Sequence, residues 1–358
     1  VSPFILLGGA LLVDAFLGDP GTPFHPVRLM GRLAAAVEGI ARRVARRAAP
    51  RGAMSGVPEA GPRAKTGLIV CGALSWLCVV GLSVGAAALV LWLARLAGST
   101  LGGAIGGGAV AAAAQGARIG EGLAAILLVY VSIAPRDLAR HALRVRRALQ
   151  AGGLEEGRKA VSMIVGRDVE RLDEAGVVKA CVESVAESAV DGVVAPLFWA
   201  LLLGPIGAVA YRAINTLDSS WGYRDERYLF FGRVAARADD AANWLPARLG
   251  FLAAILAAFM LGHDARGAAR VGWRDRRKHE SPNAAWLEAC FAGALRVRLG
   301  GPAWYGGERL EKPFLGDDLR PVETADIGRS VALMYATALV FSATGACIAA
   351  LVAAAFAR

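Results

Sequence analysis

The chain has 358 residues, carries 40 Lys and Arg against 30 Asp and Glu for a formal net charge of +10, and is 56% hydrophobic. A mean hydropathy of +0.46 is too apolar for an ordinary soluble domain, while the charge content is too high for a bare bundle of spans; the composition predicts membrane helices separated by substantial polar segments. The positive excess fits positive-inside topology at an anionic membrane, or a pocket for an anionic substrate. Nucleic-acid binding is the weaker explanation and no such partner is expected, because the arginines are scattered through amphipathic stretches without a reading motif.

Taken in chain order, "VSPFILLGGALLVDAFLGDP" is apolar but lacks a basic leader and a convincing cleavage site, and residues 3–17 read as a retained, short membrane segment. The stretch 41–65 begins as a basic helix end and becomes a Pro/Gly-rich connector, a solvated cytoplasmic loop by its charge. Residues 68–93 and 331–356 are continuous apolar runs near or above the roughly 20 residues needed to span a bilayer. Residues 101–134 are Gly- and Ala-rich and contain Gln115, Arg118 and Glu121, which suits a packed helix or a bent pair better than a lipid-exposed rod.

From Pro135 the pattern turns polar, and 135–188 reads as helices, the first starting at Pro135 and stopping at Gly152 and Gly153. Shorter apolar candidates follow at 189–210 and 247–262. If 189–210 crosses the membrane fully, the polar segments 135–188 and 211–246 lie on opposite faces, although both carry charges that suit one site; a re-entrant or protein-buried helix pair is the alternative. No strand-period alternation is long enough for a sheet. The fold class expected is therefore all-α, a polytopic integral membrane helical protein with cytoplasmic helical segments, built as one membrane domain over 1–358 with polar catalytic segments in 211–330. Cys71, Cys78, Cys181, Cys290 and Cys347 are odd in number and lack CxxC spacing, so they read as small buried residues rather than a disulfide framework.

Four constellations could carry chemistry. In "GDPGTPFHPVRLMGR", Asp19 and Pro20 make a turn, His25 is held extended by Pro26, and Arg28 follows within reach; the turn is either interfacial or a binder of an anion or substrate. Glu183, Glu187 and Asp191 recur every four residues, which places three carboxylates along one side of a helix entering an apolar segment. Such clustering raises carboxylate pKa unless cations, or a divalent metal, neutralise it. In 211–250, Asn215 and Asp218 lie one turn apart and Asp239, Asp240 and Asn243 repeat the pattern, offering oxygen ligands to Mg²⁺ or hydrogen bonds to a polar substrate. Arg212, Arg224, Arg227, Arg233, Arg237 and Arg248 surround them, with Tyr223, and ordinary salt-bridged helices are the plainer alternative to a metal–phosphate site. The fourth runs from "HESPNAAWLEACFAGAL" to "RLGGPAWYGGE". Ser281-Pro282-Asn283 resembles a helix-start cap, and Gly300, Gly301, Gly306 and Gly307 could let backbone amides approach an anion.

The succession "LLVDAFLGDP…HPVRLMG", "GRDV", "ESVAESAVDGVVAPLFW", "GPIGAVAYRAINTLDSSWGYR", "FGRVAARADDAANWLPARL" and "SPNAAWLEACFAGAL…LGG…Y" resembles the CobD/CbiB family of cobalamin biosynthesis, in order from about residue 11 to 307. Ser220-Trp221 departs from the aliphatic pair the resemblance leads one to expect. What the resemblance implies is a multi-pass enzyme of the bacterial inner membrane that joins the carboxyl of adenosylcobyric acid to the amine of aminopropanol or its phosphate, using ATP. A carboxylate is a poor electrophile, so phosphorylation to an acyl phosphate would precede amine attack, with Mg²⁺ and cationic groups offsetting phosphate charge. On that basis Glu183, Glu187, Asp191 and Asp218 are expected to serve proton acceptance or metal, with His25 either a general base or structural. Glu187, Asp218, Asp239 and Asp240 are the candidate Mg²⁺ ligands. Arg28, Arg212 and Arg224 would hold phosphates, and Asn215, Tyr223 and Asn243 would orient substrate. The lipid bilayer, the corrinoid and the aminopropanol are the expected partners, with a homo-oligomer or an assembly with other pathway enzymes open, and the polar stretch after Tyr211 facing the cytoplasm. A non-enzymatic corrinoid carrier or an AmpE-like regulator is the competing class.

Overall fold

A computed structural model of the chain describes residues 1–48, 62–106 and 108–356. The expected linker 41–65 therefore lies largely outside the described residues, apart from 41–48, which continue a helix, and 62–65, which begin the next. The described chain is helical almost throughout, and five runs are long and apolar enough to cross a membrane: Lys65–Ile105, Val110–Val161, Glu174–Trp221, Arg233–Met260 and Ala325–Phe356. An all-α polytopic membrane protein is what the composition called for, and both long apolar runs seen in the sequence fall inside these helices.

Two compact units are distinguished. The first takes Val1–Val13, Pro20–Ser132 and Pro196–Ala242. It holds most of α1 (Pro3–Leu17), then α2 (Pro26–Ala48), α3 (Pro62–Ile105), α4 (Val110–Tyr130), nearly all of α7 (Ala195–Trp221) and the start of α8 (Arg233–Met260). Helices α3 and α4 approach through glycine: a Cβ on Gly98 would fall 2.2 Å from the Gly116 carbonyl oxygen, and one on Gly120 2.3 Å from that of Ala94. The packed helix expected in 101–134 is α4, but its partner is α3, which carries the 68–93 run and ends at Ile105, rather than a second half of a bent pair; lipid supplies no hydrophobic drive, and close backbone approach holds the helices together. The unit's core gathers Ala34, Val79, Leu217, Trp221, Phe231 and Ala235. Trp221 meets Phe231 edge to face at 5.1 Å, so the residue that departs from the aliphatic expectation is a buried core side chain.

Helix α7 is interrupted at Gly204, whose φ of 68° and ψ of −162° only glycine adopts readily, and Pro205 follows. The chain then folds back, because a Cβ on Gly207 would lie 2.4 Å from the Trp199 carbonyl oxygen, whereas residues eight apart in a straight helix are about 12 Å apart. Of the two readings of 189–210, the geometry within this unit is that of a helix pair.

The second unit takes Asp14–Asp19, Ile133–Ala195 and Asn243–Arg358. It contains α5 (Pro135–Val161), α6 (Glu174–Ala189), a π-helical turn Val190–Val194, the rest of α8, then α9 (Ala265–Asp275), α10 (Ala284–Leu295) and α11 (Ala325–Phe356). Pro135 opens α5 and Gly153, at φ 70°, breaks it, as the start and stop signals required. Every residue of α10 is buried, the outcome for a helix apolar on all sides that is too short to span lipid. Beyond it, β1 (Leu299–Gly300) pairs antiparallel with β4 (Phe314–Leu315), and β2 (Ala303–Tyr305) with β3 (Glu308–Leu310). These ladders are too short to alternate visibly, and the sequence reading passed over them. All five cysteines are free; Cys181 and Cys290 are buried as expected, but Cys78 and Cys347 are exposed, on the apolar helices α3 and α11.

Candidate functional site

In the second unit the site is built around Glu183 on α6. Its carboxylate is buried, accepts a close charge-assisted bond from Arg167 Nη2, and accepts the backbone N–H of Gly300 at 2.6 Å through Oε1. Arg167 sits on the connection between α5 and α6; burial works against its charge, but the Glu183 carboxylate outweighs this and raises its pKa. The next residue, Asp168, takes the N–H groups of Gly306 and Gly307 at 3.1 and 2.8 Å. The amides of this glycine-rich segment are thus engaged by the protein's own carboxylates, Glu183 and Asp168.

Against this cluster lies Glu288, buried in α10. Burial first, then the charges of Glu187 and Glu183, push its pKa well above the ordinary carboxylate range, with Arg167 and Lys312 offsetting part of the effect. Lys312 donates to the Tyr305 hydroxyl at 2.6 Å, and Arg171 stacks 3.7 Å over Trp304. Glu183, Glu187, Arg167 and Lys312 thus all lie within electrostatic reach of Glu288. The expected row of three carboxylates is modified: Glu183 is buried, Glu187 exposed, and Asp191 falls in the π turn. Gly192 in that turn accepts the Ala134 N–H at 2.9 Å at the head of α5.

In the first unit, Asn215 on α7 donates from Nδ2 to Asp239 Oδ1 on α8 at 3.2 Å, and both are buried. One turn on, Asp218 lies against Gly222, where a Cβ would fall 2.1 Å from Asp218 Oδ1; the glycine leaves room for that carboxylate. Tyr223 and Arg224 are exposed on the connection from α7 to α8, and the Tyr223 ring lies 6.3 Å from that of Tyr228. That connection is tied down by Glu38 of α2, buried, which accepts from Arg42 Nε at 2.7 Å, Arg227 Nη2 at 2.8 Å and Tyr228 Oη at 3.2 Å. Burial alone would raise the Glu38 pKa; the bonds from Arg227 and Arg42 overcome it and lower it. His25 is buried immediately before Pro26, where α2 begins. Arg28 donates from Nη1 to the Gly21 and Thr22 carbonyls at 3.0 and 3.4 Å, holding the turn in which it was singled out. Arg212 and Asp240 belong to this unit, Asn243 to the other.

Glu38 and Lys312 were not singled out in the sequence, and Arg167, Asp168 and Glu288, although inside the motifs "GRDV" and "SPNAAWLEACFAGAL", were given no role. Glu288 carried a usable signal, being the single charge in "AAWLEACFAGAL", since an ionisable group in an apolar helix is costly and seldom idle. At the cap, Asn283 occupies the start of α10, but its Oδ1 accepts Arg248 at 3.1 Å and no side-chain cap bond forms.

Among the described residues no group of three or more His, Cys, Asp or Glu is arranged to hold a metal ion. The buried Asn215–Asp239 pair fits a Mg²⁺ ion only where phosphate oxygens and water complete the set, the usual arrangement for an ion that dehydrates reluctantly.

Comparison with known proteins bears on the whole of this arrangement. A family model described as CobD/Cbib protein matches residues 7–334. The chain is 42% identical over 326 residues to a cobalamin biosynthesis protein CobD from Klebsiella pneumoniae, 41% over 326 residues to a cobalamin biosynthesis protein CbiB from Salmonella typhi, and 40% over 330 residues to a CobD from Streptococcus sanguinis. The matches cover 91%, 91% and 92% of this chain and the same shares of those relatives. No solved structure matches. Because the matched span takes in both units, together with the elements that carry Glu38, Glu183, Asp218 and Glu288, the chain belongs to the CobD/CbiB family of cobalamin biosynthesis proteins.

Proposed function

We propose that this protein joins the propionate carboxyl of adenosylcobyric acid to the amine of aminopropanol, or of its phosphate, in an ATP-dependent amide-forming reaction. The observation that carries the reading is the group in which Glu288 is held towards its neutral form beside the Arg167-bound Glu183 and the exposed Glu187. Carboxyl groups whose environments differ in this way are suited to divide proton donation and acceptance. In this reaction the carboxylate takes the terminal phosphoryl group of ATP and ADP leaves. The amine nitrogen attacks the resulting acyl phosphate, phosphate leaves as the C–N bond forms, and a base must take the proton that nitrogen sheds. We assign that proton to Glu187, with Glu183, Asp191, Asp218 and His25 as further members of the catalytic set.

Arg212, Arg224 and the remaining donors of Arg28 are suited to phosphate oxygens, and Asn215, Tyr223 and Asn243 to orienting the amine and corrinoid side chains. In the first unit Asp239 and Asn215, with Asp218 and Asp240, are the groups to which Mg²⁺ is assigned, and in the second unit Glu187 is the candidate ligand; when bound, the ion would screen phosphate charge. The same reading places the protein in the bacterial inner membrane with its polar segments facing the cytoplasm, where a large amphipathic corrinoid would reach them, either as a homo-oligomer or with other enzymes of the pathway.

The test is mass-spectrometric detection of cobinamide product from the purified protein in detergent, supplied with adenosylcobyric acid, aminopropanol phosphate, ATP and Mg²⁺. Product that requires ATP is expected. Bound corrinoid without product would replace the ligase reading with the carrier or regulator. In the active protein, Glu187→Gln and Asp218→Asn are each expected to lower turnover about 10²-fold or more, and near-wild-type rates in both would remove these two residues from the catalytic set.

A further inference from the structure

Within the second unit, Trp244, Arg248, Leu252, Leu256 and Met260 follow one another every four residues along α8, forming a ridge that winds slowly round the helix. Trp244, Leu252, Leu256 and Met260 are 53%, 60%, 43% and 66% exposed. At the Trp244 end this stripe runs into a cleft of about 770 Å³, whose walls include Trp244, Arg248, Phe251, Trp273, Arg276 and Trp286. Arg248 lies 4.2 Å over Trp244 and 5.1 Å from Trp286; Arg276 lies 3.8 Å over Trp273 and 5.8 Å from Trp286. Backbone carbonyls hold both guanidinium groups in place, Trp244 for Arg248 and Trp273 for Arg276. Arg277 and His279 add to the lining, and Glu280 is its one carboxylate.

The sequence "WRDRRK" sorts its cations in an informative way. Asp275 takes Arg274 at 2.8 Å and Lys278 at 2.9 Å, and Asp317 takes Arg274 at 2.6 Å. Internal acids thus engage Arg274 and Lys278, while Arg276 and Arg277 line the cleft. An occupant that satisfies this surface needs a phosphate-like anion at one end and a long apolar body at the other. A nucleotide would answer the arginines and leave the leucine stripe bare; a neutral apolar ligand would do the reverse. Tryptophan and arginine side by side are also the residues found at the headgroup level of a bilayer, and basic pockets beside membrane helices take acidic headgroups.

We propose that this cleft binds the headgroup phosphate of an anionic phospholipid, with the acyl chains lying along Leu252, Leu256 and Met260. Arg248, Arg276 and Arg277 hold the phosphate, and Trp244 and Trp273 wall the glycerol region.

The experiment uses the full chain in bilayer nanodiscs of phosphatidylcholine containing phosphatidylglycerol, with native mass spectrometry of the lipids retained. Wild-type protein is expected to enrich phosphatidylglycerol over phosphatidylcholine by about five-fold per engaged arginine, and the Arg276→Gln, Arg277→Gln double variant to lose most of that enrichment. Should the double variant misfold, Arg277→Gln alone, at an exposed position, still loses about five-fold. Unchanged enrichment in a folded variant would overturn the proposal. So would displacement of the phosphatidylglycerol by ATP, which would assign the cleft to a soluble nucleotide instead.

Discussion

Glu38 in the first unit and Glu288 in the second are both buried glutamates, and their surroundings treat them in opposite ways. Glu38 collects Arg42, Arg227 and Tyr228, three donors from its own helix and from the connection after α7. Glu288 has Glu187 and Glu183 as charged neighbours, with Arg167 and Lys312 only partly compensating. Burial pushes both carboxyls towards the neutral form, and the neighbours decide the result. One glutamate becomes a clamp on a loop; the other is a carboxyl whose surroundings disfavour its charge.

The comparison breaks most severely at the Arg167–Glu183 pair. Both side chains are largely buried, and removing one partner strands the other charge, so Arg167→Ala is expected to cost about 3–5 kcal/mol and to lower the thermal unfolding temperature in detergent. A loss under about 1 kcal/mol would mean that water already reaches the pair.

A smaller effect is expected from Glu38→Gln, about 1–2 kcal/mol once the exposure of Arg227 is discounted. Because the Glu38 pKa is lowered in the folded state, its ionised form stabilises the protein above the unfolded carboxylate value of about 4.3. That contribution disappears as pH falls through the folded value. Unfolding curves of wild type and variant should therefore differ at neutral pH and converge in acid, and a gap that persists in acid would show that the charge is not the cause.

Glu288→Gln sharpens the contrast by reversing the sign. With a raised folded pKa, ionisation of Glu288 destabilises the fold progressively as pH climbs from the unfolded value of about 4.3 towards the folded one. The glutamine variant is expected to be as stable as wild type in acid and slightly more stable at neutral pH, while losing activity. A variant destabilised at neutral pH would place Glu288 among the paired carboxylates instead.

Much of the architecture was legible because it depends on local chemistry. Pro135 and Gly153 bounded α5, and the glycines of 101–134 marked a close helix pair, since backbone conformational freedom and side-chain size act over a few residues. The glycines at 300, 306 and 307 were singled out as amides for an anion, and here they donate to the chain's own Glu183 and Asp168, 117 and at least 138 residues away. No spacing rule reaches that far. Glu38 was passed over for the same reason, its partner Arg227 lying 189 residues on. The four-residue repeat from Glu183 to Asp191 was legible in the sequence, but not that it would bury Glu183, expose Glu187 and end in a π turn.

By itself, then, the sequence determined that the chain is helical, that it enters the membrane several times, which family it resembles, and where its polar residues concentrate. Hydropathy, helix signals and motif order are all written in neighbouring residues. Only the tertiary structure decided which buried carboxyl would have its pKa lowered and which raised, which arginines would be spent on internal acids and which would line a cleft, and where a helix would turn back on itself. Those outcomes depend on desolvation and on partners brought together from distant parts of the chain, and both exist only once the chain has folded.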